Sequence, residues 1–224
     1  MKKHFYFIIS LLAVLSSCGK TEVDDTPYAA VSIYNASPTV DTYDVYLNDV
    51  KANSGALPLG GGFPYQQKVA GSYTAKFTTA GRIESLFTKT IALSQNTYFS
   101  YFLLGKPGNF EGLLIPDDIS GTSATNAFVR FINLSADAPA LDFGVTATTP
   151  LTTKTAYKAA TGYVSIAAGK YTFDIKDNGG TTVRAKLTDV TLAANAHYTV
   201  FCRGLITPAT NSEVLFDAQI ITNK

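Results

Sequence analysis

The chain has 224 residues, with 18 Lys or Arg against 17 Asp or Glu, a net charge of +1 and two cysteines. That balance excludes a protein that condenses on DNA or RNA, which needs a concentrated basic face. Two cysteines exclude a disulfide framework, so any core has to be hydrophobic.

Met1-Lys2-Lys3-His4 is followed by an apolar run from Phe5 to Leu15, broken by Ser10. The run is about half the ~20 residues a membrane-crossing helix needs, so residues 1–17 read as a signal peptide. The next stretch, Leu15-Ser16-Ser17-Cys18, resembles the bacterial lipobox: an aliphatic residue, two small ones that let a peptidase reach the backbone, then a cysteine. The resemblance implies cleavage before Cys18, acylation of its thiol, and attachment to the membrane through lipid. Losing residues 1–17 removes Lys2 and Lys3, leaving 16 basic residues against 17 acidic ones and a net charge of −1.

Residues 18–27 read as a polar, acidic tether. Its sequence Gly19-Lys20-Thr21-Glu22-Val23-Asp24-Asp25 is similar to the signal that sends Bacteroidetes lipoproteins to the outer face of the outer membrane. The expected location is the outer membrane at the cell surface, with a periplasm-facing lipoprotein as the alternative.

From residue 28 the chain says the same thing twice. With an offset of 98, Val31 meets Val129, Asn35 meets Asn133, Ser37 meets Ser135, Asp44 meets Asp142, Tyr65 meets Tyr163 and Gly71 meets Gly169. At an offset of 99, Tyr98 to Gly105 lies over His197 to Gly204. The mature chain is therefore two tandem copies, expected at residues 28–116 and 127–224. The turn-rich residues 117–126 form a linker in which Asp117 and Asp118 are solvated.

Within each copy the hydrophobic period is two. Val31 and Ile33 alternate with Ser32, and Tyr73, Ala75 and Phe77 alternate as Tyr171, Phe173 and Ile175 do. These are half-buried strands, about seven per copy, and no window sustains a helical stripe. The expected fold class is all-β, two tandem immunoglobulin-like antiparallel β-sandwich domains. A single closed barrel built from both copies is the alternative. In each copy Asn-x-Ser, with Pro38 or Pro139 nearby, is expected to reverse the chain between two strands.

The second copy reads Val129-Arg130-Phe131, then Asn133, Ser135, Asp137-Ala138-Pro139-Ala140 and Asp142, with Gly169, Tyr171 and Phe173 following and Leu192 to Phe201 later. This pattern resembles the bacterial family called domain of unknown function 4397. The first copy carries it more loosely, with Thr39-Val40-Asp41 in place of Asp-Ala-Pro. The resemblance implies an exported, often lipid-anchored cell-envelope protein and brings no established activity with it.

Candidate chemistry is sparse. The mature chain holds one histidine, His197, on a strand and expected to have a partly exposed ring. Catalysis by a histidine-dependent nucleophile would have to use it. One His and one remaining Cys make a poor zinc site. The acid pairs Asp41 with Asp44 and Asp137 with Asp142 have apolar residues beside or between them, Val40 in one case and Pro139 and Leu141 in the other, which favours turn capping over calcium binding or acid–base catalysis. Gly60-Gly61-Gly62 lacks the Lys-Ser/Thr of a phosphate loop and reads as a hairpin or bulge. Cys202 reads as a small core residue.

Phenylalanines divide six and six between the copies, whereas tyrosines divide eight and four. The excess falls on positions such as Tyr34, Tyr43 and Tyr46, read as lying off the inward register and so as candidates for ligand binding. The sequence thus predicts a non-enzymatic, lipid-anchored envelope protein that binds or adheres or serves as a structural module. It is expected to have no cofactor and no nucleic-acid partner. The alternative is a glycan-binding accessory lipoprotein of a polysaccharide-handling system.

Overall fold

The computed structural model describes residues 26–224; the signal segment, Cys18 and the tether up to Asp25 lie outside the described residues. The first copy forms β1 (Tyr28–Asn35), β2 (Tyr43–Leu47), β3 (Val50–Lys51), β4 (Gly62–Val69), β5 (Gly71–Thr79), β6 (Ser85–Leu93), β7 (Tyr98–Lys106) and β8 (Asn109–Asp117). The second forms β9 (Asn126–Asn133), β10 (Leu141–Val145), β11 (Thr152–Thr155), β12 (Val164–Ala167), β13 (Gly169–Asp177), β14 (Val183–Leu192), β15 (His197–Arg203) and β16 (Asp217–Thr222).

Each copy is a sandwich of two four-stranded sheets. Sheet β4-β1-β7-β8 faces β3-β2-β5-β6, and sheet β12-β9-β15-β16 faces β11-β10-β13-β14. The strand number is eight per copy because a short edge strand, β3 or β11, joins the seven legible in the sequence. Pairing is antiparallel except that β1 runs parallel to β7 and β9 parallel to β15. Such a pair needs a long crossover, here supplied by β2 through β6 in the first copy and β10 through β14 in the second. Inward-facing Val31, Ile33, Val45, Phe77, Ile91 and Leu103 fill the first core, and Val129, Phe131, Phe143, Phe173, Ile175 and Val200 the second.

The repeated Asn-x-Ser is a turn held by a side chain. Asn35 is fully buried; its Oδ1 accepts the Ser37 amide at 3.0 Å and its Nδ2 donates to the Leu57 carbonyl at 3.2 Å. Asn133 accepts from the Ser135 amide at 3.2 Å and donates to the Thr155 carbonyl at 3.1 Å. The repeated aspartates cap a second turn. Asp44 accepts the amide of Gly81 at 2.9 Å and Asp142 that of Gly179 at 3.0 Å, both glycines lying at positive φ. Asp137 caps another loop by accepting the amides of Ile206 and Thr207 at 2.9 and 2.8 Å.

Burial along the strands separates the sheets into two kinds. In β6 exposed residues interrupt the buried ones, as one solvated face requires, but β7 is buried from Phe99 through Leu104 and β15 from His197 through Cys202. An unbroken buried run means that both faces of a sheet are covered. The outer faces of sheets β4-β1-β7-β8 and β12-β9-β15-β16 pack on each other around a third core of Tyr34, Phe102, Leu104, Ile115, Ile132 and Phe201. The molecule is a stack of four sheets, and the two copies meet through the same face. Phe102 and Phe201, which correspond in the repeat, touch edge to face at 5.3 Å. This is the intramolecular counterpart of an isologous dimer contact.

Candidate functional site

The seam between the sandwiches carries a closed circuit of hydrogen bonds. Asp117 forms a salt bridge with Arg130, both side chains being almost wholly buried. Arg130 Nε donates to Thr199 Oγ1 at 2.8 Å, Thr199 donates to Asn223 Oδ1 at 2.6 Å, and Asn223 Nδ2 donates to Tyr65 Oη at 2.9 Å. Tyr65 closes the ring by donating to Asp117, which also accepts Ser100 Oγ at 2.7 Å. Burial, with the charge of Asp117 beside it, pushes the Tyr65 phenol well above its ordinary range. The guanidinium lies over the Tyr163 ring, 4.9 Å from its centroid.

Asp117 is thus neither linker nor solvated. It ends β8 and is 5% exposed, while Asp118 is at the surface. The seam is sealed further by backbone bonds from Val40 to Ser212 and from Val214 to Pro38, each 3.0 Å long. The glycine triplet serves the same contact. A Cβ on Gly60 would lie 2.1 Å from Gln219 of the second sandwich, and one on Gly62 would lie 2.0 Å from the Tyr34 ring.

The tyrosines singled out in the sequence are not grouped. Tyr43 is 1% exposed and shares the inward face of β2 with Val45 and Leu47, its hydroxyl 3.1 Å from that of Thr39. Tyr34 does lie off the inward register, but the second sandwich covers it, and it stacks on Phe102 at 5.4 Å. Neither is available to a ligand, which corrects the expectation for both. Tyr46 remains half-buried on the outer face of β2, with the Lys76 ammonium 4.9 Å from its ring centre.

His197 is 1% exposed, not partly exposed as its strand position suggested, because Gly121 passes above it. Its ring stacks on Phe128 at 4.6 Å and meets Tyr163 edge to face at 5.1 Å, and neither nitrogen has a hydrogen-bond partner. Burial depresses its pKa, the Lys224 ammonium adds to this, and Asp118 opposes it. Cys202 is enclosed, its thiol pushed up to about 12 by burial. Among the described residues no cluster of three or more His, Cys, Asp or Glu side chains is placed to hold a metal ion.

These groups set the acid response of the fold. Burial opposes the charge on Asp44 and Asp142, but the Gly81 amide with Lys51 and Asn53 in one case, and the Gly179 and Lys154 amides with Asn178 in the other, together outweigh it and hold both carboxyls below their ordinary value of 3.8. The unfolded chain protonates first in each case, so it gains protons relative to the folded state and stability falls with pH. We expect urea midpoints to decline in two stages. The first lies below pH ~6.5, where unfolded His197 takes a proton that the folded ring refuses, and the second below pH ~4 as the aspartates protonate. His197→Phe should remove the first stage and Asp142→Asn should reduce the second. A flat midpoint between pH 7 and 4.5 would contradict the buried neutral imidazole.

At the rim of the seam the surface opens. A groove of about 520 Å³ lies along the start of β1 and the β6–β7 turn, lined by Ala30, Tyr65, Gln67, Asn96, Thr97 and Tyr98 among others. It adjoins a recess of about 660 Å³, bounded by Asn96, Thr97, Tyr98, Asp118, Asn223 and Lys224. Tyr98 belongs to both and is 43% exposed. The repeat aligns it with His197, but its neighbours are set by the parallel pairing of β1 with β7.

Fold and seam together define a tandem all-β module whose two sandwiches share one buried interface. The family described as Domain of unknown function (DUF4397) matches residues 29–144 and 145–219, and the chain belongs to that family. The boundary between the two matches falls within β10, whereas the sandwiches divide at residues 118–125. No curated protein matches. Among solved structures, the Bacillus anthracis TIE protein is similar at 12% identity and a TM-score of 0.26, over 85% of this chain and 34% of its own. A leucine-rich repeat protein from Bacteroides thetaiotaomicron VPI-5482 is similar at 14% identity and a TM-score of 0.20, over 84% of this chain and 27% of its own. The chain thus spans about a third or less of the length of these structures.

Proposed function

We propose that the protein is a lipid-anchored module of the cell envelope that binds a partner and catalyses no reaction of its own. The observation that carries this reading is the double sandwich with an open groove bearing Tyr65 and Tyr98 at its seam, while Asp44, Asp142, Asp117 and Arg130 among its buried charged groups are engaged in turns and in the interface. Asp44, Asp142 and Asp137 hold loops, and Asp117 and Arg130 hold the seam. His197 has neither a nucleophile nor an orienting partner. The Leu15-Ser16-Ser17-Cys18 sequence supports the anchor, and the Lys and acidic residues after it support a surface address.

Cells fed an alkynyl fatty acid should yield labelled protein in the membrane fraction, with the label absent from a Cys18→Ala variant. Label that persists in that variant, or an unlabelled wild type, would remove the anchor from the proposal. Protease treatment of intact cells assigns the face, and digestion with a periplasmic control spared is the result expected.

A further inference from the structure

The two sandwiches repeat a rim as well as a core. In the second, three rings stand together at the start of β15: His197 and Tyr163 meet edge to face at 5.1 Å and 80°, and His197 lies face to face with Phe128 at 4.6 Å and 13°. In the first, Tyr98 and Tyr65 meet edge to face at the same 5.1 Å and at 78°. The strand register pairs His197 with Phe128 and, correspondingly, Tyr98 with Ala30. The first copy therefore builds two rings of the three and has a methyl group at the position of the stacked one. The backbone across the second site also differs: Gly121 comes within 3.4 Å of His197, measured from an added Cβ, whereas Tyr98 keeps 43% of its surface exposed.

The second copy thus displays what fits the first: a flat body of ring size, lying parallel to the aromatic face. The groove beside Tyr98 adds chemistry to this shape. None of its lining residues is charged; the amides of Gln67 and Asn96 are at the surface, and the Thr97 hydroxyl is beside them. Within the groove an ionised ligand would lose hydration against no opposite charge, Asp118 and Lys224 belonging to the adjoining recess. A neutral ligand with many hydroxyls finds amide donors and acceptors, and its C–H face suits the negative face of a tyrosine ring. At about 520 Å³ the groove is in the range of small-ligand sites, roughly 300–1,000 Å³.

We propose that this groove is a carbohydrate subsite in which a neutral sugar ring stacks on Tyr98 over Ala30, as Phe128 stacks on His197, with hydrogen bonds to Gln67, Asn96 and Thr97. The proposal rests on the reading of the protein as a binding module and names its ligand class. The aromatic platform is Tyr98, supported from the side by Tyr65, which the buried circuit of Asp117 and Asn223 holds in place.

The test is affinity electrophoresis of residues 19–224 in native gels containing neutral polysaccharides (galactomannan, xyloglucan, a mixed-linkage β-glucan, dextran) or acidic alginate. Wild type should be retarded by at least one neutral polymer. Tyr98→Ala and Ala30→Phe should weaken retardation about tenfold or more, while Tyr98→Phe keeps it. Unfolding midpoints close to wild type would show that the variants fold; Ala30→Phe copies a side chain that the second sandwich already accommodates. Retardation unchanged in Tyr98→Ala and Ala30→Phe would overturn the site. Retardation by alginate alone, or by no neutral polymer, would overturn the ligand class. Either failure leaves the lipid-labelling result for the envelope module untouched, and a failed labelling experiment would leave a retained sugar site standing.

Discussion

Replacing Asp117 with Ala is expected to cost about 3–5 kcal/mol of folding stability, because it strands the Arg130 guanidinium in an interface from which water is excluded. The converse change, Arg130→Met, should cost about as much, since it leaves the carboxylate facing only the hydroxyls of Tyr65 and Ser100. The double variant Asp117→Ala with Arg130→Met removes both charges. It should be more stable than the sum of the single effects by about 2 kcal/mol or more, with the remaining loss coming from Tyr65, Ser100 and Thr199, which the circuit no longer satisfies. Urea unfolding of the four proteins measures the coupling. Single effects that add to within about 0.5 kcal/mol would show that the two charges do not depend on each other.

What could be read in the sequence was what each copy does for itself. Val31 with Ile33 and Tyr73 through Phe77 announce strands because alternation is set by the pleat. Asn35 and Asn133 announce turns because their partners are local or strand-adjacent within one copy. What could not be read was the relation between copies. Tyr34 was correctly placed off the inward face of its own sandwich, but nothing in its neighbourhood says that a second sandwich covers the outer one. Tyr43 was misplaced for a different reason: β2 begins with it, so that 43, 45 and 47 form the inward set. One signal of the seam was present. Phe99-Ser100-Tyr101-Phe102-Leu103-Leu104 is apolar at almost every position, which a half-solvated strand would not be. Asp117 and Arg130 read as unrelated because each belongs to a different copy, and Ala30 gains meaning only once β1 is seen to run beside β7.

Truncating Phe201 to Ala is expected to cost about 3–5 kcal/mol, as for other buried aromatics, but with a consequence that a change inside either sandwich would not have. Phe201 packs on Phe102 at 5.3 Å and on Tyr34 at 6.2 Å, all three in the core between the sandwiches. Each sandwich retains its own core when this one is weakened, so Phe102→Ala combined with Phe201→Ala should uncouple two units that otherwise melt together. The central claim is that the two copies form one body, with the buried Asp117–Arg130 circuit inside the seam and the Tyr98 groove at its rim. Differential scanning calorimetry of residues 19–224 tests it most directly. A single transition is expected, with calorimetric and van't Hoff enthalpies equal for the whole chain, splitting into two in the double variant. Two independent transitions in the wild type, unmoved by the double change, would contradict it.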